Sequence, residues 1–188
     1  MLQRLAALGL VATPLAGVLA ACGNDDGGMP MMGQGSGSAM PGWMMGDGMM
    51  DAAMMADMVV IHDLLTNNDK IRRVVQDIGG GILSQTTSSD ARLAGLIRTH
   101  VEAMRTRIEN NRPIRHGDQL FAEIFEHHAA ITIKAVELPD GVEVTETSAD
   151  PQVQLLIRQH ARRAVSEFIA SGMQRAMQPT PLPEGYHS

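Results

Sequence analysis

The stretch GILSQTTSSDARLAGLIRTH, residues 81–100, recurs 60 residues later as GVEVTETSADPQVQLLIRQH, residues 141–160. The two stretches align without a gap, and eight of their twenty positions are identical. Ordinary residue usage would give about one such match by chance. Each stretch passes from a strand-like alternation through a polar turn into an amphipathic helical pattern. The alignment therefore predicts an internal duplication.

The flanking sequence extends each copy into a helix–hairpin–helix unit. Strands are predicted at 71–78, 82–87, 131–138 and 142–147. First helices are predicted at 51–68 and 118–129, and second helices follow the hairpins to about residues 109 and 171. We therefore predict an α+β domain over 51–172 with a four-stranded, mainly antiparallel sheet, four helices and pseudo-two-fold symmetry.

Turn and cap residues set the predicted element boundaries. The hairpins turn at Gly79-Gly80-Gly81 and Pro139-Asp140-Gly141, and we expect positive φ at Gly81 and Gly141. The second helices are expected to begin after Ser88 to Asp90, and after Ser148 or Asp150, where Pro151 suits a first helical turn. Gly172 should end the last helix. Residues 173–188, with Pro179, Pro181 and Pro183, are predicted to form a tail.

Three histidines fall on the apolar faces of these predicted helices: His100, His128 and His160. His100 and His160 match in the alignment, so a two-fold arrangement could bring them together, with His128 on a neighbouring helix. Converging imidazoles suit copper, zinc or haem iron. A buried neutral histidine that bonds a backbone carbonyl would instead serve only the fold. Both interpretations remain open from the sequence.

Residues 1–21 have the pattern of a signal peptide, with Arg4 before an apolar run too short and too interrupted to span a bilayer. The run ends in Leu19-Ala20-Ala21-Cys22, which resembles the lipobox of bacterial lipoproteins. The resemblance implies cleavage before Cys22, lipidation of that residue (palmitate included) and a periplasm-facing place in the cell envelope, with the outer membrane favoured over the inner. A plain secretory signal with a chance cysteine is the alternative.

Residues 22–50 have the composition of a flexible tether, rich in Gly, Ser, Pro and Asp. Eleven of the fifteen methionines fall between residues 29 and 58. Thioethers are soft, neutral ligands that suit Cu(I), and this segment resembles the Met-rich segments of periplasmic copper-handling proteins. The candidate metal ligands here are Met31, Met32, Met44, Met45, Met49, Met50, Met54 and Met55. Compositional drift, an oxidant sink or, near the end of the segment, one face of the first helix are the alternatives.

The net charge of −6 gives no indication of nucleic-acid binding. The sequence also lacks the Gly-x-Ser-x-Gly and His-Glu-x-x-His motifs, and we predict no enzymatic activity. The repeats resemble uncharacterised bacterial envelope domains, a resemblance that implies no activity. The sequence thus favours a membrane-tethered lipoprotein that binds metal, copper before haem or zinc, and an envelope protein as partner. The alternative is a structural or interaction module without a metal.

Overall fold

The computed structural model of the chain describes residues 52–188. Four helices and four strands follow the predicted order within this part. They are α1 Ala52–Thr66, β1 Arg72–Ile78, β2 Gly81–Thr87, α2 Ala91–Glu109, α3 Gln119–Glu126, β3 Thr132–Leu138 and β4 Gly141–Thr147. The fourth helix, α4, begins as Pro151–Gln159, continues through a π-helical stretch at His160–Ser166 and ends as Glu167–Ala176. Single 3₁₀ turns follow α1 and α3 at Asn68–Lys70 and His128–Ala130.

The strands form one antiparallel sheet in the order β1-β2-β4-β3, which confirms the predicted α+β class. The two hairpins meet at their second strands, where Ser84 lies opposite Val144. These two residues are themselves 60 positions apart, and both hairpins recur at that offset. This register is compatible with a duplicated domain whose pseudo-two-fold axis passes between Ser84 and Val144.

Matched contacts also join the two halves. Arg98 Nη1 donates to Leu138 O at 3.0 Å, and Arg158 Nη2 donates to Ile78 O at 3.4 Å. Helix α2 packs Leu93 against the strand β4 of the other half, while α4 packs its apolar face against β2. Each second helix therefore covers the opposite hairpin. Neither half buries its own apolar surface alone, and burial of one large apolar side chain contributes about 1.5–3 kcal/mol.

The glycines of the hairpins act differently from our expectation. Positive φ occurs at Gly80 (81°), and neither Gly81 nor Gly141 has it, so that prediction was wrong. A Cβ on Gly81 would lie 1.9 Å from Glu146 O, and one on Gly141 would lie 2.0 Å from Thr86 O. Both glycines are needed because β2 and β4 approach too closely there for a side chain.

Aspartates cap the helices as the sequence predicts. Asp90 Oδ1 accepts from Arg92 N at 2.9 Å at the start of α2, and Asp150 Oδ1 accepts from Gln152 N at 2.8 Å at the start of α4. Such caps satisfy backbone N–H groups that a helix leaves unpaired at its N-terminus. They fix where the second helices leave the sheet, and hence which side chains face it.

The chain after Gly172 packs onto the domain. Gly172 has a φ of 58°, which interrupts α4. A larger residue does not fit at this position, because a Cβ there would lie 2.8 Å from Leu65 O. One more helical turn follows, and Leu182 and Tyr186 then pack against the cluster between α3 and α4. The backbone N of Thr180 donates to the buried carboxylate of Asp118 at 2.9 Å. The last residues thus close one end of the helical layer.

Candidate ligand-binding cavity

A cavity of about 250 Å³ lies between the inner face of the sheet and the helices. Most of its wall is apolar and comes from all four helices. The apolar lining includes Met58, Leu65, Ile97, Val101, Met104, Phe121, Ile124, Ile157, Phe168 and Ile169. A mainly apolar cavity of this kind accepts apolar ligands. The domain therefore contains a space of a size suited to a small molecule.

Polar side chains enter this apolar space from the sheet. Arg73 on β1, Ser84 and Thr86 on β2, and Glu146 on β4 all line the cavity. The Arg73 guanidinium donates to Thr86 Oγ1 at 2.7 Å. These four residues form the polar floor, a name we keep for this set. Polar groups that converge in an apolar pocket orient a ligand and select it.

The two matched histidines reach the same cavity from the helices. His100 on α2 and His160 on α4 both line it, as the sequence analysis anticipated for converging imidazoles. The His160 ring meets the Phe121 ring edge-on, with centroids 5.3 Å apart and an interplanar angle of 82°. Nδ1 of His160 lies 3.8 Å from Oε2 of Glu146, an ion-pair distance. The helices thus place two imidazoles against the polar floor.

Burial sets the charge of His100. It lowers the pKa of His100 to about 4 because the charged imidazolium is desolvated there. The Asp57 carboxylate opposes this shift, whereas the charges of His160 and Arg73 add to it. His100 is therefore a neutral imidazole at physiological pH, with one ring nitrogen that donates and one that accepts.

Glu146 and Arg73 keep opposite charges at the floor. Burial alone would raise the pKa of Glu146, but the adjacent His160 and Arg73 hold it below its usual value. Burial lowers the pKa of Arg73, and the Glu146 carboxylate opposes that shift. An arginine in a protein stays protonated despite such a shift. The polar floor therefore carries one positive and one negative charge.

Three buried polar atoms on cavity-lining residues have no hydrogen-bond partner within residues 52–188. They are Nε of Arg73, Oγ of Ser84 and Nδ1 of His100. Native proteins leave few such atoms, since each unsatisfied group costs about 1–3 kcal/mol. The three come from three different elements, β1, β2 and α2, that surround one cavity. Unmet hydrogen-bonding capacity beside an apolar cavity indicates a ligand site.

The helix α4 departs from α-helical geometry at this cavity. Its π-helical stretch begins at His160, and Ser166 Oγ donates to Ala161 O at 2.8 Å within it. The matching helix α2 continues as an α-helix through His100. Short π-helical segments occur often at functional sites, because the extra residue per turn re-aims side chains. The two halves thus differ where His160 enters the cavity.

The structure places His128 outside this cavity. Its Nδ1 lies 3.0 Å from Ile108 O, so the tautomer protonated at Nδ1 donates to that carbonyl. Asn68, 60 residues earlier, donates from Nδ2 to Ile169 O at 2.7 Å. Both side chains tie a 3₁₀ turn to a neighbouring helix. A histidine that serves only the fold is expected to form such a hydrogen bond to a backbone carbonyl, as His128 does here.

The remaining predicted ligands fall on α1 or outside the described part of the chain. Met54 and Met55 lie on α1, neither lines the cavity, and Met55 is 48% exposed. Cys22, Met31, Met32, Met44, Met45, Met49 and Met50 lie outside residues 52–188. Within residues 52–188, no group of three or more His, Cys, Asp or Glu side chains is arranged to hold a metal ion.

Arg73, Ser84 and Glu146 are cavity residues that were not predicted from the sequence. Their counterparts in the other half are Ile133, Val144 and Thr86. At each position the two copies differ in polarity or in charge, although the strands themselves match in length and offset. A position-by-position comparison of the inward-facing strand residues would have singled out these three as departures from the repeat.

Comparison of the chain with protein-family models, with curated proteins and with solved structures gives no match. Among the helices that the structure describes, none combines the length and the apolar character needed to cross a membrane.

Proposed function

We propose that this chain is a lipid-anchored protein of the cell envelope whose duplicated domain binds a small, mainly apolar ligand without converting it. The observation that supports the proposal is the apolar cavity of about 250 Å³, beside which Arg73, Ser84 and His100 each keep an unpaired buried polar atom. Water is a poor occupant of a mainly apolar space. A ligand with an apolar body and one polar group would satisfy both parts of the site.

Binding suits the cavity geometry better than catalysis. The Ser84 hydroxyl is the candidate nucleophile of the cavity. Its Oγ forms no hydrogen bond to a base among the described residues. An activated serine needs a base within about 2.6–3.2 Å. His160 instead stands beside Glu146 at 3.8 Å. The site therefore offers orientation and hydrogen bonding, with no nucleophile prepared for attack.

A thermal denaturation series tests the proposal with toluene as the probe. Toluene should raise the unfolding midpoint of the full chain carrying Cys22→Ser, because a ligand that binds only the folded state stabilises it. The change Val101→Phe fills the cavity and should abolish that rise. Val136 is 56% exposed on the outer face of the sheet, so Val136→Phe is the matched control and should leave the rise intact. If toluene raised the unfolding midpoint of both variants equally, it would not be binding in this cavity.

Copper binding by the methionines is a second candidate function. Met55 is 48% exposed on α1, and a residue of the helical core would be buried. It belongs to the run of eleven methionines between residues 29 and 58. Several thioethers on one segment of the chain raise each other's effective concentration, so they can close on one soft ion. Histidines of the cavity could add ligands in this scheme.

The metal proposal is tested by titrating the full chain with Ag(I), Cu(I) and Zn(II). Ag(I) and Cu(I) should bind well above Zn(II), which prefers imidazole or thiolate. The combined change of Met44, Met45, Met49 and Met50 to Leu should weaken soft-ion binding. Met104→Leu and Met173→Leu, both at the cavity wall, serve as matched controls. Equal weak responses to all three ions would favour an interaction module, whose partner could contact the exposed Val59 on α1.

A further inference from the structure

The size of the cavity limits the ligand. An apolar cavity of about 150 Å³ holds benzene, so a cavity of about 250 Å³ holds on the order of ten non-hydrogen atoms. Phe121 and Phe168 line the wall with ring centroids 6.5 Å apart and nearly parallel planes, and the Arg115 guanidinium lies over both rings. The body of the ligand is therefore compact and apolar, and one aromatic ring would fit this wall.

The charges around the cavity limit the head group. Each arginine of the lining interacts with a carboxylate. The negative charge of Glu146 acts on Arg73, and Arg115 Nη2 donates to Asp118 Oδ2 at 3.0 Å. Arg105 forms ion pairs with Glu102 and Glu109 on its own helix. Because His100 is neutral, an anionic ligand would bring an uncompensated charge into a low-dielectric space.

The unpaired atoms define what the head group must supply. Arg73 Nε–H can only donate, and the Ser84 hydroxyl can donate. Ser84 and Thr86 share the inner face of β2, and Arg73 lies opposite Thr86 on β1. Arg73 and Ser84 are thus diagonal neighbours on one sheet face, within reach of a common acceptor. A carbonyl oxygen has two lone pairs and accepts from two donors at once.

We infer that the cavity, in its proposed role as a binding site, takes an uncharged molecule with a compact apolar body and a single carbonyl oxygen, which accepts from Arg73 Nε and Ser84 Oγ. The inference rests on the proposed cavity binding and adds the class of ligand to it. His100 also lines this cavity, and its Nδ1 can donate or accept according to its tautomer.

Three isosteric probes test the head group: acetophenone, α-methylstyrene and benzoate. They share one ring and differ in bearing a carbonyl, a methylene or a carboxylate. Calorimetric titration of the full chain carrying Cys22→Ser should give acetophenone the tightest binding, on the order of tenfold tighter than α-methylstyrene, since the two hydrogen bonds from Arg73 and Ser84 separate them. Benzoate should bind more weakly than acetophenone.

Substitution of Ser84 tests whether its hydroxyl is the donor that makes acetophenone bind more tightly than α-methylstyrene. Ser84→Ala should reduce the affinity for acetophenone and leave that for α-methylstyrene unchanged, because only acetophenone uses the hydroxyl. Ser84 Oγ has no partner in the described chain, so the substitution removes no existing bond and the domain should still fold. Ser89→Ala is the matched control, since Ser89 is exposed beyond the end of the sheet.

The results of these titrations distinguish the preference for a carbonyl group from cavity binding itself. If α-methylstyrene or benzoate binds as tightly as acetophenone, or if Ser84→Ala leaves the preference unchanged, the carbonyl inference is overturned while cavity binding stands. If toluene and all three probes fail to bind, cavity binding itself is overturned. The preference for acetophenone, reduced by Ser84→Ala and kept by Ser89→Ala, supports both.

Discussion

Nδ1 of His160 lies 3.8 Å from Oε2 of Glu146, and the two residues come from the helix α4 and the strand β4 of the same half of the domain. The counterparts in the other half are His100 and Thr86, which form no such pair. The positive charge of Arg73 in the first half also acts on this carboxylate. The second hairpin thus supplies the negative charge of the polar floor, and the first hairpin supplies the positive charge.

Removing the negative charge should change the ligand preference. In Glu146→Gln the Arg73 guanidinium loses its carboxylate, so we expect benzoate to gain affinity relative to acetophenone by about tenfold or less. Titration with both probes measures this ratio. Glu143→Gln, a change on the outer face of β4 where Glu143 accepts from Gln85 at 2.8 Å, is the matched control and should leave the ratio alone. An unchanged ratio in Glu146→Gln would contradict the charge balance of the floor.

His100 should make the domain sensitive to acid. Its pKa falls from 6.5 to about 4 on folding, so between these values the unfolded chain binds the proton and the folded chain does not. Stability is then complete above about pH 6.5 and is lost as the pH falls towards 4, by about 3 kcal/mol in all. His100→Gln should remove this part of the pH dependence of the free energy of unfolding. His116→Gln, at an exposed position, should keep it.

Chemical denaturation at a series of pH values between 4 and 6.5 gives the slope of stability against pH for each variant. Parallel curves for wild type and His100→Gln would mean that His100 binds its proton equally well in the folded and the unfolded chain.

Close contact between the central strands predicts a large effect at Gly81. A Cβ there would lie 1.9 Å from Glu146 O, so Gly81→Ala must push β2 and β4 apart. We expect a loss of about 3 kcal/mol or more in the free energy of unfolding. Gly79→Ala is the matched control, since its Cβ would meet nothing within 4 Å. Similar stabilities of the two variants in urea would show that the strands are not packed this closely.

The predicted anchor has its own test. The tetrapeptide Leu19-Ala20-Ala21-Cys22 predicts that the wild-type chain fractionates with membranes and begins, when mature, at Cys22. Each buried CH₂ of an acyl chain contributes about 0.8 kcal/mol, so several chains together hold the protein firmly. Cys22→Ser should stay unprocessed or become soluble. A mature N-terminus at any other residue would rule out the lipidation.

The sequence match at an offset of 60 residues predicted most of the fold. Identities such as Arg98 with Arg158 and Asp90 with Asp150 fixed the offset, and the offset fixed the strands and caps. The site was harder to predict because it lies where the copies differ. Arg73 and Glu146 stand on strands that are not neighbours in the sheet, and their approach depends on the order β1-β2-β4-β3, which a repeat alone does not specify.

Two local details also escaped the sequence analysis for physical reasons. Gly81 and Gly141 have the residue type of a positive-φ turn, but their role comes from a neighbouring strand 60 residues away. The π-helical stretch that begins at His160 follows a sequence whose propensity matches an ordinary helix. In both cases tertiary packing determines the backbone conformation, which cannot be predicted from the local sequence pattern.

The most direct test of cavity binding is the transfer of NMR magnetisation from bound toluene to isoleucine methyl groups. Ile97 on α2 and Ile157 on α4 line the cavity and are 3% and 1% exposed, so surface binding does not reach them. The account predicts intermolecular cross-peaks from toluene to both methyl groups, saturable with concentration and lost in Val101→Phe. Cross-peaks confined to exposed side chains such as Val59, or none at all, would contradict it.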